Sequence, residues 1–116
     1  MKLLMIVLNR DDYFEKILSL LIESGVSGAT IFDSEGLGHF LAYEVPIFAG
    51  LRYLMGEQRA FNRTIMAIVE KDDIFQDFKR LLKKEEIDFT QPGVGVIATL
   101  PLSEVIKPEH KDNSRS

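Results

Sequence analysis

The chain has 116 residues, 46% of them hydrophobic and 28% charged, which fits a single soluble domain with a real core and excludes a disordered chain. It contains no cysteine, which removes disulfides, thiolate metal sites and cysteine catalysis; its two histidines, His39 and His110, are too far apart for a histidine metal motif. The net charge of −4 argues against broad binding along a nucleic-acid backbone and leaves room for a small basic pocket.

The longest apolar run, Leu3 to Leu8, is far shorter than the roughly 20 residues of a membrane span. It runs into Asn9-Arg10-Asp11-Asp12 with no small-residue cleavage site, so it reads as a buried first strand rather than a leader. The expectation is a cytoplasmic protein with no direct membrane insertion.

Asp12 then offers an N-cap, with Glu15 three residues later completing a capping box. Phe14, Ile17, Leu18, Leu21 and Ile22 fall at helical spacing, and Gly25 is the expected stop. Ala29 to Glu35 reads as a second strand, and Gly36 to about Asn62 as a long irregular stretch. Thr64–Val69 is a third strand, Asp73 caps a second helix, and Gly93–Leu100 is a fourth strand.

The chain repeats itself. Arg10-Asp11-Asp12-Tyr13-Phe14-Glu15 matches Lys71-Asp72-Asp73-Ile74-Phe75-Gln76 in charge, acid pair, phenylalanine and capping residue, and Leu20-Leu21 and Leu81-Leu82 follow at the same offset. Two strand–helix–strand units with right-handed crossovers predict an α+β, ferredoxin-like duplicated βαβ fold. It has one four-stranded antiparallel sheet with both helices on one face. Phe32, Ala67, Val96 and Ala98 are then expected on the uncovered face, and burial of that face predicts a homotrimer. The domain spans 1–108, with 109–116 a polar C-terminal tail.

No enzyme constellation emerges. Asp11-Asp12 and Asp72-Asp73 read as helix caps, Glu85-Glu86 closes a solvated helix end, and Ser19, Ser24 and Ser27 have no histidine close in sequence. The chain is therefore read as non-enzymatic and without a metal site. Gly36-Leu37-Gly38 at the end of strand two and Gly93-Val94-Gly95 at the start of strand four could let backbone N–H groups approach an anion, or could simply form a turn or bulge. Within the long stretch, Pro46 suits a first helical position. Ile47, Phe48, Leu51, Leu54 and Met55 recur at helical spacing before Gly56, which predicts a helical stripe that either packs on its own assembly or docks a partner.

Three segments together resemble the PII nitrogen-regulatory signalling family: Glu23-Ser24-Gly25-Val26-Ser27-Gly28-Ala29-Thr30, then Glu35-Gly36-Leu37-Gly38, then Gly93-Val94-Gly95 running into Leu100-Pro101-Leu102-Ser103-Glu104-Val105-Ile106. The resemblance covers about residues 1–108. It implies a trimer that binds ATP, ADP or AMP in clefts between subunits and controls a partner, such as a transporter or an enzyme, through loop 37–62. Carried over by position, the ligand-binding residues are Thr30, Gly36, Gly38, Arg63, Gly93, Gly95 and Lys107. The partner-binding residues are Ile47, Phe48, Leu51, Tyr53 and Leu54. The sequence departs from the family at Val96, in the place of a phosphate-binding lysine, at Val94, in the place of an acid, at Glu109, in the place of a second C-terminal arginine, and at His39-Phe40, in the place of an arginine–glutamine pair. A trimer that has lost its ligand and acts as a constitutive interaction module is the alternative.

Overall fold

The structure, a computed structural model, describes residues 1–52 and 61–108. Four strands, β1 (Lys2–Leu8), β2 (Thr30–Asp33), β3 (Arg63–Val69) and β4 (Gly95–Pro101), form one antiparallel sheet in the order β2-β3-β1-β4. Among the described residues, helices α1 (Phe14–Ser24), α2 (Leu37–Glu44) and α3 (Asp72–Lys84) accompany the sheet. This is the expected duplicated ferredoxin-like arrangement, with α1 and α3 as the two crossover helices. The expected strands are all present, shifted at their ends by one to a few residues.

Strand β1 lies between β3 and β4 and is paired along its whole length on both sides. Because side chains alternate between faces, its register sorts the sheet into two surfaces. Leu4, Ile6 and Leu8 are buried with Ile65, Ala67 and Val69 of β3 against Ile17, Leu20 and Leu21 of α1 and Phe78, Leu81 and Leu82 of α3. Leu3, Met5 and Val7 face the other way, opposite Ile68, Met66 and Thr64 on one side and Leu100, Ala98 and Val96 on the other. Among the described residues, no helix covers that second face. Phe32, Val96 and Ala98 lie on it as expected, but Ala67 does not: it pairs with Leu4 and is buried under the helices.

The helix ends differ from the expected capping. A single 3-10 turn, Asp11–Tyr13, precedes α1, and the Asp12 carboxylate accepts from Arg10 Nε at 2.8 Å and again from Nη2 rather than from the helix backbone. That bidentate pair holds the Asp12 carboxyl below its ordinary range. Helix α3 has Lys71 at its N-cap, so Asp73 lies inside the first turn and makes no capping bond; Asp72 pairs with Lys2 at 3.5 Å. The acids at its start and Lys83 and Lys84 at its end still match the helix dipole. Gly25 does end α1, in a left-handed conformation, with its own N–H and that of Val26 closing back onto Ile22 and Leu21.

Gly95 is fixed by the sheet itself. Its φ is +144°, and a Cβ built there would lie 2.0 Å from the carbonyl oxygen of Val7. Only a glycine lets β4 close on β1 at that point. Gly95→Ala is therefore expected to lower stability by about 2 kcal/mol or more. Gly38→Ala, at a helical site with open space around it, is expected to leave stability unchanged or raise it by about 0.5–1 kcal/mol. Denaturant titration of the two variants checks the contrast.

Candidate functional site

The sequence-derived ligand residues fall into two groups at opposite ends of the sheet. At one end a row crosses all four strands: Gly95 lies opposite Leu8, Leu8 opposite Arg63, and Arg63 opposite Asp33. Gly36 and Asn62 belong to this end, since Asn62 Nδ2 lies 3.8 Å from where a Gly36 Cβ would be. At the other end, Lys107 is ion-paired with Glu70, the residue that follows β3. Arg63 and Glu70 bound β3, and its seven residues at about 3.3 Å each separate the two ends by roughly 20 Å. One chain does not bring the two groups together.

The Lys107 end is concave. A cleft of about 600 Å³ is lined by Thr30 and Lys107, the irregular segment Ser27-Gly28-Ala29, Glu70, and an apolar wall of Leu3, Met66 and Ile68 from the open face. Thr30 enters it because β2 starts at that residue, opposite Met66. Its volume suits a ligand of nucleotide size, with an apolar wall and a few polar groups to fix orientation. Of the residues carried over from the resemblance, Thr30 and Lys107 line the same cleft, and so does Glu70, which the sequence reading did not single out. No local motif marks Glu70. It is the first polar residue after an apolar strand, and its partner comes from a distant part of the chain.

The Arg63 end is built differently. Arg63 donates to Asp33 Oδ1 at 3.1 Å, and its guanidinium lies 4.7 Å from the Phe14 ring and 5.5 Å from the Phe61 ring, which meet each other edge-on at 6.0 Å. The cation is thus stacked and paired by its own chain. Gly93 has a φ of +82°, and the carbonyl of buried Val94 accepts from the Asn9 N–H at 2.9 Å.

The long loop leaves and re-enters the sheet beside these residues. Ser34 N–H donates to the Asn62 carbonyl at 3.1 Å, Ser34 Oγ lies 2.8 Å from the buried Thr64 hydroxyl and also bonds the Asn62 side chain, and Asn62 Nδ2 donates to Asn9 Oδ1 at 2.8 Å. These contacts form a polar neck joining β1, β2 and β3. Beyond it the chain is not irregular throughout: helix α2 occupies Leu37–Glu44, with Gly36 at its N-cap, so Gly36 and Gly38 open a helix rather than end a strand. The eight consecutive residues from Leu37 lack proline, so nothing forbids a helix there. Arg52 caps its far end, with Nε donating to the Ala42 carbonyl at 2.8 Å and Nη2 to that of Tyr43 at 3.3 Å. His39 pairs with Glu35 at 2.8 Å and stacks on Tyr43. The expected Pro46–Met55 helix begins instead as a 3-10 turn, Pro46–Phe48, followed by a break before residues 51–52 resume helical geometry. Ile47 is 84% exposed and Phe48 also lies at the surface, whereas Leu51 is half-buried. Tyr53, Leu54, Met55, Gly56 and Glu109 lie outside the described residues.

Among the described residues, no group of three or more His, Asp or Glu is placed to hold a metal ion, and no helix is long and apolar enough to cross a membrane.

If the polar neck holds the loop base, Asn62→Ala should accelerate proteolysis within residues 37–61 and lower stability by about 1–2 kcal/mol, leaving Ser34 and Asn9 short of a partner. Limited proteolysis with denaturant melts of wild type and variant measures both; equal cleavage rates would refute the clamp.

No family model matches the chain, and no curated protein matches it either. Solved structures do. Over 93% of this chain and 94% of that one, it superposes with a TM-score of 0.56 and 19% identity on CPII, a nitrogen regulatory PII-like protein from Thiomonas intermedia K12, bound to ADP, AMP and bicarbonate. A second structure of CPII from the same organism, bound to ADP, AMP and acetate, matches with a TM-score of 0.54 and 21% identity over 84% of this chain and 81% of that one. The chain therefore has the fold of a PII-like protein, as its glycine segments and duplicated units led us to expect.

Proposed function

We propose that the chain is a non-enzymatic, PII-like regulatory protein, a cytoplasmic homotrimer that takes up an adenine nucleotide between subunits and reports it to a partner protein through loop 37–62. The observation that carries this reading is the cleft in which Thr30 and Lys107 meet, on a fold shared with CPII bound to ADP and AMP.

Two further features support it. The open sheet face is apolar, with Val96 59% and Phe32 43% exposed, and such a face is stable in water only when another copy or partner covers it. The second is the separation of the two ligand groups. A ligand that contacts both the Thr30–Lys107 end and the Gly36–Gly95 end must sit where one subunit's cleft meets the next subunit's loop base. Its charge and bulk would then bias the order of the loop, which is how a small molecule is read out by a distant partner. Leu37, Ile47 and Phe48 give that loop an exposed apolar surface for docking, for which a membrane transporter is one candidate.

One observation favours the constitutive, ligand-free alternative: Lys107 is already paired with Glu70, and Arg63 with Asp33. Calorimetry with ATP, ADP and AMP separates the two readings, because heat of binding that saturates with one of them supports the regulatory form and its absence supports the constitutive one.

The assembly has its own test. Wild type should scatter light as about three copies of the 13.2 kDa chain. Met5→Glu, at the centre of the open face between Met66 and Ala98, should convert it to a folded monomer with an unchanged far-ultraviolet spectrum. A wild-type monomer at micromolar concentration would overturn both the trimer and the intersubunit site.

A further inference from the structure

The cleft carries a carboxylate against its own cation. Among the described residues that line it, Lys107 is the one basic side chain and Glu70 the one acidic side chain, and the two form an ion pair. Lys107 also donates to the neighbouring Pro108 carbonyl at 3.4 Å. The rest of the lining is uncharged: the segment from Ser27 to Thr30, Leu3, and Met66 to Ile68 of β3. Both members of the pair are partly exposed at the cleft wall, so an entering ligand can reach them without unfolding anything.

From this balance we infer that Glu70 is a specificity-determining residue, which through its pair with Lys107 sets the cleft to prefer adenine ligands carrying few phosphates over those carrying many. The inference rests on the adenine-nucleotide reading of the cleft. A phosphate that uses Lys107 must displace the Glu70 carboxylate or share the ammonium with it. Displacement forfeits an existing charge-assisted contact, and sharing sets two anions side by side. Each phosphate added to the ligand raises the second cost, while the base and ribose, which meet uncharged lining, are unaffected. The ion pair thus acts as a built-in competitor for anionic groups alone.

The test is calorimetry of the full chain with adenosine, AMP, ADP and ATP, for wild type, Glu70→Gln, Lys107→Ala and the double variant. Glu70→Gln should tighten ATP and ADP by about tenfold, AMP by less, and adenosine not measurably, since the lost competitor is one charge-assisted contact. The gain should vanish when Lys107 is also replaced. A purely structural role for Glu70 would change all four ligands alike, and would show as a lowered melting temperature; Glu70→Ser, which also removes the charge, provides an independent variant if Glu70→Gln folds poorly. Equal gains for all four ligands, no gain, or a gain that persists without Lys107 would overturn the inference while leaving the site intact. Failure of every variant to bind any of the four would overturn the adenine reading itself, and this inference with it.

Discussion

Everything in this fold depends on β1 being paired on both sides at once. Seven consecutive residues, Lys2 to Leu8, are matched to β3 and to β4 in continuous antiparallel register. A shift by one residue would send Leu4, Ile6 and Leu8 to the open face and bring Leu3, Met5 and Val7 under the helices. Both sets are apolar, so hydrophobicity alone does not choose between them. What pins the register is local. At Gly95 the backbones of β4 and β1 come closer than any side chain permits, which allows only a glycine opposite Leu8. At the start of β3, Arg63 meets Asp33 across the strands and is stacked against Phe14 and Phe61. Shifting β1 would part Arg63 from Phe14, which follows β1, and place a Cβ against a carbonyl, while the Arg63–Asp33 pair holds β3 to β2.

The same row that pins the register also anchors the loop. Ser34, Asn62, Thr64 and Asn9 bond to one another where β1, β2 and β3 come together, so the 27 intervening residues between Ser34 and Asn62 start and finish within one cluster. A loop held at a single neck can change conformation without disturbing the sheet, because its ends do not move. Among the described residues from Glu35 to Arg52, where Ile47 is 84% exposed, none belongs to the core cluster. Sheet and loop are in this sense separate stability units joined by a few hydrogen bonds.

The duplicated units, the four strands and the two crossover helices were legible because they rest on repeats and periodicity, which are local properties of sequence. The misreadings share a cause. Ala67 was assigned to the open face because a strand that is apolar on both sides carries no alternation from which to read parity; only its pairing with Leu4 decides it. Asp12 looks like a cap by position, yet Arg10 offers it a two-pronged charged partner that a helix N–H cannot match. Helix α2 was hidden by its composition, since Gly38, Phe40 and Tyr43 are poor or middling helix formers, and it is closed by Arg52 from outside its own span. Glu70 did not stand out because its place at the cleft comes with its ion pair to Lys107, a contact that no spacing rule connects.

Thr30 and Lys107 illustrate how far a resemblance can reach. Position matching assigned both to ligand binding, and both line one cleft, but matching says nothing about the charge that surrounds them. In an aqueous cleft, the value of a lysine to an anion depends on what else the lysine touches. Here it touches a carboxylate, and Arg63, the other cation among the carried-over ligand residues, is about 20 Å away along β3 and paired with Asp33. The proposed assembly changes this geometry without changing the residues: a neighbouring subunit can bring its Arg63 end against this cleft, so that a ligand's net attraction is decided by two ion pairs contributed from two chains. A ligand that loosens one of those pairs acts directly beside the neck of the loop. Ligand charge, subunit contact and loop order would then share one small set of side chains, and the same carboxylates that limit affinity would make the loop sensitive to which ligand is bound.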